Sequence, residues 1–168
     1  MALKADRHEL QTDISFFMDA TGVRGGVVCH LAAGSGAAMD QGAQTVSMVA
    51  TVGPTNVPVG ILLNDVVNKD LTRTHLNHFK DEVQKGGKVT ILRKGWVVTN
   101  NIVGTPGFGD VAYVDDAGVI GNHLYPADEQ SSGNLAIGRF LSGKDEDGYC
   151  KVEVNLPNHG AYGNLPIT

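Results

Sequence analysis

Cys150-Lys151-Val152-Glu153-Val154-Asn155-Leu156 alternates without a break. Cys150, Val152, Val154 and Leu156 fall on one side of an extended chain, and Lys151, Glu153 and Asn155 on the other. Period two with one polar face is the pattern of a half-buried β-strand. The same vocabulary recurs upstream in short pieces: residues 27–31 (VVCHL), 45–52 (TVSMVATV), 59–63 (VGILL), 88–100 (KVTILRKGWVVTN, interrupted at Gly95), 110–114 (DVAYV) and 136–141 (AIGRFL). β-Branched residues suit a pleated, half-buried surface. The 22 glycines follow no Gly-X-Y period; scattered between apolar runs, they supply the tight turns that many short strands need. The expected fold class is mainly β, a compact small β-barrel or β-sandwich.

Two stretches share a plan of strand, turn region, strand: 59–63 followed by 88–92, and 137–141 followed by 151–156. Two hairpin-like units suit a small barrel or sandwich. Only residues 70–85 could form a substantial helix, with Leu71, His75, Phe79 and Val83 four apart, Asp70 as N-cap and Gly86-Gly87 as the stop. Threonines and asparagines weaken that helix, and a long surface loop fits equally.

Residues 1–25 read as an extended N-terminal arm, 26–157 as the β-rich domain and 158–168 as a C-terminal tail. The arm carries Ile14, Phe16, Phe17 and Met18 just before a glycine-rich joint at 20–26. Adjacent aromatics on one strand or helix point different ways, so one can anchor on this subunit and the other on a neighbour. These four residues are the candidate contact site, and the domain from 26 to 156 is expected to fold without residues 1–20.

Composition excludes several function classes. The chain has 168 residues, enough for one domain with a real core. Its formal net charge is -5 and it has no Lys/Arg cluster, so no nucleic-acid partner is expected, because phosphate binding needs cationic surface. No apolar run approaches about 20 residues, so no membrane span is expected. The first residues are polar where a signal peptide would be apolar, which implies a cytoplasmic site of synthesis. Charged residues make up only 18%, a low share that fits a surface partly hidden in an assembly. Cys29 and Cys150 stand far apart inside apolar runs and read as reduced core residues.

Motifs for chemistry fail on inspection. Gly34-Ser35-Gly36 follows an apolar run as a dinucleotide loop would, but Met39 stands where the third glycine belongs and no helix follows. Residues 104–110 (GTPGFGD) lack the Gly-Lys-Ser/Thr ending of a phosphate loop and fit a wide turn. An EF-hand starting at Asp145 would meet Cys150 and Leu156 where Gly and Glu are required; a solvated turn is expected at 145–148 and another at 115–118. His75 and His78 could share a helical face but have no third ligand nearby. No metal, cofactor or catalytic residue is expected.

Ordered blocks give the chain its likeness to known proteins. They are Arg24-Gly25-Gly26-Val27-Val28, residues 59–65 (VGILLND), 86–96 (GGKVTILRKGW), 109–114 (GDVAYV), 137–141 (IGRFL) and 149–156. In this order they resemble the tailed-bacteriophage head decoration, or capsid cement, proteins. The resemblance implies a compact β-domain bound to the outside of a capsid, bridging subunits of the major capsid protein, with no catalysis and no cofactor. It implies a virion protein assembled in the host cytoplasm and self-associating as a homotrimer, or alternatively a homodimer. Rival readings are a tail-tube or fibre-base protein, a β-barrel hydrolase or metal-dependent oxygenase, which needs converging His and carboxylates, and a carbohydrate-binding module, which needs open aromatic platforms.

Overall fold

The computed structural model describes residues 3–30, 45–48, 57–66, 82–83, 85–123 and 135–156. Its elements are the strands β1 (Leu3–Asp13), β2 (Phe17–Met18), β3 (Gly22–Val23), β4 (Val27–His30), β5 (Thr45–Met48), β6 (Val57–Val66), β7 (Glu82–Val83), β8 (Lys88–Thr99), β9 (Val111–Val114), β10 (Ile120–Gly121), β11 (Ala136–Phe140) and β12 (Cys150–Asn155). A single 3₁₀ turn at Asp116–Gly118 is the one helical piece among the described residues. The protein is mainly β, as its sequence implies.

Strand β8 organises everything else. At 12 residues it spans roughly 40 Å, long enough to serve two rings of strands. In the first ring β8 pairs with β6, β6 with β4, β4 with β5, β5 with β2, and β2 with β8 again through Phe17 and Lys88. In the second, β8 pairs with β12, β12 with β11, β11 with β9 and β9 with β10. Ile120 of β10 then bridges Ile102, just beyond the end of β8. The result is a nearly closed, barrel-like sheet. Both repeated units of the sequence are antiparallel pairs in it, β6 with β8 and β11 with β12.

Two cores follow from the two rings. One contains Met18, Val28, Val46, Val59, Leu62, Val83, Val89 and Ile91. The larger one takes Val27, Cys29, Ile61, Leu63 and Leu92 from β4, β6 and β8 and packs them against the β9–β12 side, including Phe140, Val152 and Val154. Neighbouring residues of β4, β6 and β8 therefore enter different cores. This is why residues 27–29 and 61–63 are continuous apolar runs while β12 alternates: the former are buried on both faces and the latter on one. Cys29 and Cys150 are free and buried in the larger core. Desolvation pushes the Cys29 thiol up to about 12, so it stays protonated at neutral pH.

The N-terminal segment departs from the expected arm. Leu3–Asp13 lies antiparallel on β8, from Leu3 opposite Thr99 to Asp13 opposite Ile91. The glycine-rich joint is also tied down: Gly25 N–H donates to the Leu62 carbonyl at 2.8 Å, and the Gly26 carbonyl accepts from Leu62 N–H at 2.9 Å. β1 buries only Leu3, and its residues 5–12 are exposed. An edge strand wet on both faces needs no apolar alternation, so its sequence carries no strand signal. Gly95 is where β1 and β8 approach: its φ is +136°, and a Cβ there would collide with the His8 carbonyl oxygen. Residues 82–83, the end of the expected helix, are instead strand β7, paired with β3, and Val83 is fully buried. The stretches 70–81, with His75 and His78, and 158–168 lie outside the described residues, as do Gly34, Ser35 and Gly36.

Candidate functional site

The four residues singled out in the N-terminal segment separate by role. Met18 is 1% exposed in the smaller core, and Phe16 packs against that core. Phe17 is half-buried, with the Lys88 ammonium 5.9 Å from its ring centroid. Ile14 is 52% exposed. Adjacent aromatics do diverge, Phe16 inward and Phe17 toward the surface. The backbone between them is fixed: Met18 N–H donates to the Gly87 carbonyl at 3.0 Å, Val89 N–H to the Phe16 carbonyl at 3.1 Å and Gly86 N–H to the Met18 carbonyl at 2.7 Å. The core thus claims Met18 and part of Phe16, while Ile14 and Phe17 keep exposed surface.

Charged side chains work locally. Asp145 caps its own turn, accepting from Tyr149 N–H at 2.7 Å and Asp147 N–H at 3.1 Å through one oxygen. Its other oxygen takes the Lys4 ammonium at 2.9 Å, and Lys4 also lies 4.1 Å from the Tyr149 ring centroid. These bonds, Lys4 foremost, hold the Asp145 carboxyl below its ordinary range, and the Asp145 bond raises Lys4. The turn expected at 145–148 is therefore a clasp between β1 and the β11–β12 connection. Trp96 is covered too: Lys151 sits 3.3 Å from its ring centroid and His8 meets it edge-on at 6.3 Å. A sugar-stacking platform needs an open ring face, and here Lys151 occupies one. Among the described residues, no three His, Cys, Asp or Glu side chains gather as metal ligands, and no helix is long and apolar enough to cross a membrane.

A feature that periodicity missed stands on the loop between β8 and β9. Phe108 is 82% exposed there, and Val103 on the same loop is 41% exposed. The loop is held along its length. Asp110 accepts from Gly107 N–H at 2.8 Å and from the Asn122 amide at 2.9 Å, and these two bonds, the first foremost, keep its carboxyl below the ordinary range. Gly109 N–H donates to the Phe140 carbonyl, and Phe140 N–H to the Asp110 carbonyl, both at 2.8 Å. Lys144 binds the Ile102 carbonyl at one end of the loop (3.2 Å) and Arg139 the Gly109 carbonyl at the other (3.4 Å). The sequence signal was a large aromatic between two glycines, which a wide turn does not need.

The described residues thus form a nearly closed β-barrel whose surface joins local charge pairs to a few exposed apolar side chains. Comparison with known proteins narrows the class. A family model described as structural cement protein (E217 gp24/Pam3 gp6) matches residues 10–155. The chain belongs to this family of phage structural cement proteins, and its role is a structural, capsid-associated one in the virion. No curated protein matches it. A solved chain from "The capsid of Myoviridae Phage XM1" shares its fold with TM-score 0.52 and 12% identity, over 93% of this chain and 88% of that one. The family points to a non-enzymatic role.

Proposed function

We propose that this protein docks on the outer surface of a phage capsid, assembles there in the host cytoplasm, and reinforces the shell by bridging subunits of the major capsid protein. The observation that carries the reading is the cement-family match over residues 10–155. The physical requirements agree with it. A shell under internal pressure from packaged DNA gains from added buried area across its joints, spread over many modest contacts. A hydrogen-bonded barrel with few charged residues suits such contacts.

The protein acts as a homotrimer, with a homodimer as the alternative; closed symmetric assembly is the norm for such proteins, and the 18% charged fraction fits hidden surface. Ile14 and Phe17 reach the shell or a neighbouring subunit, with Phe16 and Met18 bracing them from the core. Burying one such apolar side chain contributes roughly 1.5–3 kcal/mol, multiplied over the copies on a shell. Imaging virions with and without this protein tests the reading. The expected result is extra density on the outer capsid face across subunit boundaries; density confined to the tail or to the capsid interior would reject it.

A further inference from the structure

Phe108 is not part of either core among the described residues. It is 82% exposed, yet it sits on a loop fixed by side-chain hydrogen bonds, with Asp110, Asn122, Arg139 and Lys144 all bound to loop backbone or to each other. Exposing a large aromatic to water is unfavourable, and fixing its loop costs conformational freedom. The two together make a pre-organised anchor: the entropy of ordering is already spent before binding. Its neighbours support this. Gly109 has φ +87° and needs to be glycine for the turn. Gly107 does not: its φ is ordinary, and a Cβ there would make only van der Waals contact with Asp110, at 3.6 Å. Bare backbone at Gly107 leaves room for a partner wall beside the ring.

We propose that Phe108 is the anchor that enters an apolar pocket of the shell protein, with Arg139 and Lys144 facing acidic groups at the rim of that pocket. This deepens the shell-binding reading and rests on it. Arg139 and Lys144 are exposed, and each keeps donors to spare after bonding the loop, since guanidinium has five and ammonium three. The shell is the occupant because the chain belongs to a family of phage structural cement proteins; a second copy of this chain seated on Phe108 instead would show as a change of oligomer mass on its replacement.

The test uses capsids of the parent phage freed of this protein, with the full-length chain added back as wild type, Phe108→Ala or Phe108→Tyr. Binding is read by co-sedimentation, thermal stability by melting, and oligomer mass by light scattering. Phe108→Ala is expected to melt like wild type and keep its oligomer mass, but to bind capsids roughly 30-fold more weakly, the loss typical of an interface anchor. Phe108→Tyr should retain most of the binding, because it keeps the ring. Equal capsid binding by wild type and Phe108→Ala, with wild type bound, overturns the anchor and leaves the cement reading standing. So does a Phe108→Ala that loses its oligomer mass while its subunits still bind capsids. Failure of wild type itself to bind overturns both.

Discussion

Gly95 shows how much one residue decides here. Its run reads in the sequence as an interruption, and glycine does weaken strand interiors. The strand nevertheless passes straight through it, because β1 comes so close that a Cβ would strike the His8 carbonyl, and the φ of +136° suits glycine alone. Gly95→Ala should therefore lower stability by roughly 1–3 kcal/mol through loss of β1 pairing, seen as a lower melting temperature and as faster amide exchange at His8 and Leu10. An unchanged melt would mean that β1 is not held where the structure places it. Other residues divide similarly. The two cysteines and the inner face of β12 were legible as core, but which of Ile14, Phe16, Phe17 and Met18 face in and which face out was not. That choice depends on the pairing partner: Phe16 and Phe17 are chemically identical, and only the bonds to Gly87 and Val89 turn one inward. Phe108 was not singled out at all, because its stretch reads simply as a wide turn.

Among the elements, those with an apolar pattern were readable and those without were not. β4, β5, β6, β8, β9, β11 and β12 all fall on apolar or alternating runs. β1 is wet on both faces, and β2, β3, β7 and β10 have two residues each, too few for any period to show. Tertiary pairing, not local propensity, creates them. The same distinction separates two truncations. Removing residues 1–13 deletes an edge strand whose only buried side chain is Leu3, so the barrel should stay folded, with a lower melting temperature and poorer solubility from the newly bared edge of β8. Removing residues 1–18 also extracts Met18 from the core and opens the first ring at β2. A buried Met reduced to Ala alone costs about 2–5 kcal/mol, so this second truncation should abolish the cooperative unfolding transition in circular dichroism. The sequence had suggested that residues 1–20 were dispensable to folding; a cooperative melt for the shorter chain would restore that view.

At the scale of the whole molecule, the two rings share one long strand, β8. The N-terminal apolar residues flank the first ring and the Phe108 loop lies on the second, so one subunit carries candidate contacts on both of its cores. A bridge needs two such attachments, and here a continuous hydrogen-bonded strand joins them. The mainly β fold, the family and the structural role were legible because strand patterns and block order survive in the sequence; the choice between barrel and sandwich was not, because it depends on how β8 is shared between the rings and on the Ile102–Ile120 bridge. The most direct measurement is the temperature at which DNA-filled capsids rupture, followed by dye access to the DNA, for particles stripped of this protein and for the same particles after it is restored. Stripped particles should rupture at a lower temperature, and restoring the protein should recover the original value. Identical rupture temperatures with the protein absent and fully bound would contradict a cementing role.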